Sequence, residues 1–150
     1  MLARIVLPLV GAAAVLFFAC SPRTQSPVSS VRANAVAKQG LTSHVIVDTT
    51  RGSVRFAIEV SNDTRKRVEL TFPDGRTHDF AVLDDSGREV WRWSAGRMFT
   101  QSMQNRLLDA HDSALFVERW TPPAPGQYTL VANLNSANYP VTQRVEFALH

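Results

Sequence analysis

The side chains that could do chemistry are scattered along the chain rather than grouped. His44, His78, His111 and His150 lie in unrelated contexts, and no G-x-S-x-G run sets up a nucleophile. His78 and Asp79 are adjacent, but successive strand residues point to opposite faces, so the two are not expected to pair. Catalysis is therefore not expected. His44, His78, His111, Met98 and Met103 show neither H-x-H nor M-x-x-M spacing, so no metal site is expected. No Gly-rich run precedes a helix, which excludes a phosphate loop, and no cofactor is implied. The single cysteine, Cys20, excludes an intramolecular disulfide and any zinc site built on several cysteines.

Two segments have the composition of a loop offered to a protein partner. Residues 95–103, AGRMFTQSM, carry basic and large apolar side chains of the kind that protease pockets accept. Arg97 or Met98 is the residue expected to fill a primary pocket, with Phe99 and Gln101 beside it. The second segment, Thr121 to Gly126, is proline-rich and stiff. A loop held rigid by its scaffold binds with little ordering cost. The plainer reading of residues 95–103 is that Phe99 plugs one end of the domain and the loop closes over it.

The elements that must position these loops are strands. Val54, Phe56, Ile58 and Val60 alternate with Arg55, Ala57, Glu59 and Ser61, and the same period of two recurs at 68–72, 80–82, 91–93, 115–117, 128–134 and 141–149. Turn signals separate the runs: Ser61-Asn62-Asp63-Thr64, Pro73-Asp74-Gly75, Asp84-Asp85-Ser86-Gly87, Pro122 to Gly126, and Asn135 to Pro140. Ser94 to Leu108 reads as a long loop or a short irregular strand. The expected fold is all-β, an immunoglobulin-like antiparallel sandwich of about 7–9 strands over residues 42–150. Without a disulfide, aromatic packing must hold it, with Trp91 or Trp93 filling the centre. Gly126-Gln127-Tyr128 has the form of a tyrosine corner, which places Leu130 where antibody domains carry a cysteine.

The N-terminus reads as an export signal. Arg4 precedes an apolar run from Ile5 to Ala19, which is short for a bilayer span and contains Pro8. Small Ala19 stands just before Cys20, as in a bacterial lipoprotein signal; Phe17 and Phe18 depart from the usual residues there. Such a signal spans residues 1–19, and Cys20 becomes the acylated N-terminus, so the expected location is the cell envelope, anchored to a membrane by lipid. Two or more acyl chains hold a domain at a bilayer where one binds only marginally. Residues 20–41, rich in Ser, Pro, Ala, Gln and Gly, read as a flexible tether. The chain carries 16 basic and 13 acidic residues, a net +3, and loses only Arg4 with the signal. Arg65-Lys66-Arg67 is its densest basic run, which is no nucleic-acid stripe.

The run from Thr71-Phe72-Pro73-Asp74-Gly75 through Asp79-Phe80 leads to Val90-Trp91-Arg92-Trp93-Ser94, then Phe99-Thr100-Gln101, Trp120 and Gly126-Gln127-Tyr128. With Asn62 closing an earlier strand, this order resembles the Bacillus intracellular proteinase inhibitor (BsuPI) domain family over about residues 45–135. The resemblance implies an immunoglobulin-like sandwich and inhibition of a serine protease partner. Asn62, Phe72, Trp91, Trp93, Ser94, Trp120, Gly126 and Tyr128 are expected to be structural. The alternative is an envelope scaffold, adhesion or assembly lipoprotein with no inhibitory activity.

Overall fold

The computed structural model describes residues 29–33, 35–50 and 52–150. The signal expected over residues 1–19, Cys20 and the first part of the expected tether lie outside the described residues. Among the described residues eleven strands form, all paired antiparallel: β1 (Ser29–Arg32), β2 (Val36–Lys38), β3 (Leu41–Thr50), β4 (Ser53–Asn62), β5 (Val68–Phe72), β6 (His78–Leu83), β7 (Glu89–Arg92), β8 (Gln104–Leu108), β9 (Ser113–Trp120), β10 (Gly126–Leu134) and β11 (Val141–Leu149). One sheet runs β1-β3-β4-β9, with β2 also on β3; the other runs β11-β10-β6-β7; β5 and β8 make a two-stranded ribbon.

The chain is an all-β sandwich because two sheets with alternating apolar faces have only each other to bury against. Phe56 of β4 sits at the middle, with ring centroids 5.8 Å from Phe80, 5.9 Å from Trp91, 5.9 Å from Phe147 and 6.3 Å from Trp120. The centre thus belongs to Phe56, and the expectation that Trp91 or Trp93 fills it is corrected. β7 is the edge of its sheet, so Trp91 covers the rim of the core and stays half-buried, as does Trp93. Trp120, Phe72, Tyr128 and Leu130 are buried as expected.

Nine strands start at residue 41 or later, within the expected number, and two more precede them. The tether expected over 20–41 is thus strand at Ser29–Arg32 and Val36–Lys38. These short edge strands gain their place chiefly from backbone pairing with β3; Val31 packs partly buried against the core, and their other residues are exposed. Buried Tyr139 fastens the junction: its hydroxyl lies 2.8 Å from the Leu41 carbonyl oxygen and 3.1 Å from that of Val36.

The tyrosine corner forms. The Tyr128 hydroxyl donates to the Ala124 carbonyl at 2.9 Å, and the ring packs edge-on to Trp120 at 5.1 Å. Gly126 allows the chain to enter β10 at a φ of +156°, which L side chains rarely adopt. At the other end of the strands, β5 is bound by the loop before β11. Asn138 Nδ2 donates to the Glu69 carbonyl at 2.7 Å, and the Ala137 N–H donates to that of Thr71 at 2.8 Å.

Candidate functional site

The two loops singled out by composition lie at opposite ends of the sandwich. Thr50, Gly52, Pro122 to Pro125, Leu149 and His150 line one shallow hollow, at the end where β10 begins. Residues 93–103 leave β7 near the start of β6, at the far end. The stiff 121–126 segment is tied down by Tyr128, and its part in the fold is the tyrosine corner.

The root of the 93–103 loop is a polar clamp. Asp79 is buried at the second position of β6, and its carboxylate accepts from Arg92 Nη1 at 3.0 Å, from the Ser94 hydroxyl at 2.7 Å and from the Ser94 N–H at 3.2 Å. Glu89 and Asp79 hold the Arg92 guanidinium charged, Glu89 chiefly, by direct hydrogen bonds. His78 and Asp79 point apart as the alternation requires. His78 Nε2 meets Glu118 Oε1 of β9 at 3.2 Å, and its ring stacks under Trp93 with centroids 4.4 Å apart. Burial lowers the His78 pKa from 6.5, while the Glu118 carboxylate pulls in the opposite direction.

From this root the loop runs back across the Pro73-Asp74-Gly75 turn. The Gly75 N–H donates to the Thr100 carbonyl at 2.9 Å. A Cβ on Gly75 would stand 2.6 Å from Thr100 Oγ1 and 3.2 Å from its backbone nitrogen, so glycine is what lets the turn and the loop touch. Phe99 tucks against Trp93 at 5.4 Å and is half-buried, which makes it the plug of this end. Gln101 is exposed and turns back to the Phe99 carbonyl at 3.4 Å.

Of the two residues expected to fill a pocket, the structure separates one from the other. Arg97 donates from Nε to the Trp93 carbonyl at 2.8 Å, and its guanidinium carbon lies 4.9 Å from the Trp93 ring centroid. Met98 is 98% exposed, the most exposed of the large apolar side chains among the described residues. Asp74, Arg76, Arg97, Met98, Phe99 and Gln101 together line a shallow open groove. Ser94 and Trp93 belong to the loop root, whereas Asn62, Phe72, Trp91, Trp120, Gly126 and Tyr128 do not line the groove. Asp79, Gly75 and Arg76 were not singled out as site residues, although all three stand in the motif run that carried the resemblance.

A family model described as intracellular proteinase inhibitor, BsuPI, matches residues 41–139. The chain belongs to the BsuPI family. The match begins at the first residue of β3, ends at Tyr139, and takes in the loop root, the loop and the turn beneath it. No curated protein sequence matches the BsuPI chain described here. Among solved structures, it is similar to the yjhA protein of Bacillus subtilis, with 16% identity, 76% of this chain and 96% of that one covered, and a TM-score of 0.42. It is also similar to the β-glucosidase EmGH1 of Erythrobacter marinus, with 14% identity and a TM-score of 0.36, over 82% of this chain but 16% of that one. A DUF1425 family member from Shewanella sp. pv-4 has 12% identity and a TM-score of 0.33, with 79% and 96% covered. Among the described residues of this BsuPI domain, no three His, Cys, Asp or Glu side chains are placed to hold a metal ion.

Proposed function

We propose that this BsuPI chain is an exported, lipid-anchored, non-enzymatic inhibitor that blocks a serine protease with the 93–103 loop, Met98 entering the primary pocket. One observation carries the reading. A long apolar side chain stands 98% exposed on a loop fastened at its root by Asp79, at its middle by Phe99 on Trp93, and at its far side by Gly75. Exposure of that kind costs solvation unless a partner covers it, and a fastened loop loses little freedom on binding. Arg97 is tied to Trp93 and flanks the pocket residue rather than replacing it.

The test uses the full-length chain in mild detergent against a panel of secreted serine proteases. Inhibition is expected for an enzyme with an apolar primary pocket. Met98→Ala should weaken it about tenfold or more, as for a central anchor residue, with the thermal midpoint unchanged. A panel left uninhibited at micromolar concentrations would move the assignment to an envelope scaffold, with a pull-down from envelope extract as the next experiment. The anchor is tested separately: palmitate labelling of the chain should disappear in Cys20→Ala.

A further inference from the structure

Two arginines face the groove beside Met98, and among the described residues neither is paired with a carboxylate. Arg97 is the better defined. Its Nε–H is spent on the Trp93 carbonyl and its guanidinium carbon lies 4.9 Å from the Trp93 ring centroid, so the group is held in place before any partner arrives. Its terminal nitrogens make no hydrogen bond to the described residues. Arg76 lies in the adjoining turn, with only its backbone engaged: its N–H donates to Asp74 Oδ1 at 2.8 Å and its carbonyl accepts from Asn135 Nδ2 at 2.8 Å. Asp74 is the one acid lining the groove, so the lining carries two positive charges against one negative. A planar guanidinium fixed at one nitrogen with two others free matches the two oxygens of a carboxylate.

We propose that Arg97 is a specificity residue: it binds an Asp or Glu carboxylate on the protease, at the rim of the apolar pocket that receives Met98, and Arg76 adds to the field that draws that carboxylate in. The inference rests on the reading of the loop as the protease-contact surface. The chemistry is that of a hydrophobic anchor with a charged neighbour. Met98 supplies apolar burial, and Arg97 selects among proteases that share an apolar pocket but differ in rim charge. An enzyme with a basic rim meets like charge and is disfavoured. Lysine at position 97 would keep the charge but lose both the fork and the Trp93 contact.

The experiment measures inhibition of subtilisin, chymotrypsin and elastase by the full-length chain in mild detergent, from about 20 to about 300 mM salt, a range over which screening between exposed charges becomes strong. For the enzyme inhibited best, Arg97→Gln is expected to weaken inhibition about tenfold at low salt, through the loss of a close charge pair, and to flatten its salt dependence. Arg97→Glu should weaken it further, and Arg97→Lys should recover only part of the loss. Arg144→Gln, on the outer face of β11, is the control and should match the parent. Thermal midpoints of all variants are read alongside, so that a folding defect is recognised. Arg97→Gln and Arg97→Glu inhibiting like the parent at every salt concentration, while Met98→Ala remains weak, overturns this inference and leaves the loop assignment standing. Met98→Ala inhibiting like the parent overturns the loop assignment itself, and a parent that inhibits none of the three enzymes overturns both.

Discussion

Asn62 is 1% exposed, and its side chain joins three stretches of chain. Its amide nitrogen lies 2.8 Å from the Lys66 carbonyl oxygen, 2.9 Å from that of Asp109 and 3.1 Å from that of Leu108, while its Oδ1 accepts from the Thr64 N–H and hydroxyl. Asn62→Ala should lower folding stability by about 2–4 kcal/mol, because buried carbonyls lose their donor. Asn62→Asp should cost more than alanine, since it turns carboxylate oxygens toward carbonyl oxygens. Denaturant midpoints of the two variants check this order, and an aspartate variant as stable as the parent would show the site to be mere polar filler. The sequence placed Asn62 at the close of a strand, but two of its three acceptors lie 46 and 47 positions away. A contact of that range is set by how β4 and β8 meet, and local pattern carries no trace of it. Tyr128 shows the opposite case: its acceptor is four residues upstream, and the corner was legible.

At the scale of elements, the first turn of chain after β7 is coupled to both sheets through one imidazole. His78 begins β6, stacks under Trp93 and reaches Glu118 of β9. Burial lowers its pKa below the 6.5 of a free histidine, so the unfolded chain takes up a proton more readily than the folded one. The contribution to stability is therefore complete above about pH 6.5 and falls as pH drops below it, levelling off once the depressed folded value is passed. Urea midpoints should fall between about pH 7.5 and about pH 5.5. His78→Gln should flatten that part of the curve, and an unchanged slope would remove His78 as its source. Strands with one face on the core, such as β4, β10 and β11, announced themselves by alternation. β8 did not, because Gln104 to Leu107 are all exposed and only Leu108 is buried. β1 and β2 are too short to show alternation, with only Val31 partly buried on the core, and their pairing with β3 is a backbone property that composition does not encode. The loop was legible as a loop because Gly96 and its amides break the alternation, but the clamp beneath it needed Asp79 and Ser94, 15 positions apart, to be brought together.

The whole molecule has a direction. Ser29 pairs with Thr49, so the described chain begins at the end where Thr50, Pro122 to Pro125 and His150 gather. The 93–103 loop lies at the other end, separated by the length of β10, nine residues, or roughly 25–30 Å at strand rise. With Cys20 as the proposed lipid site, the bonds between Cys20 and Ser29 can span no more than about 30 Å. That holds the Ser29 end within about 30 Å of the proposed anchor, and we expect Met98, at the opposite end of the sandwich, to face away from the bilayer. A protease approaching from the aqueous side would then meet the loop without competing with the membrane. The arrangement can be measured in lipid vesicles containing a brominated lipid, with the acylated chain carrying a fluorophore on a single introduced cysteine; acylation leaves Cys20 without a thiol for the label. Pro123→Cys should give a label quenched well above one placed by Met98→Cys, because collisional quenching needs contact with the bilayer. Equal quenching at the two positions would mean that the domain lies on its side, and it would remove the membrane-distal placement of the loop while leaving its chemistry intact.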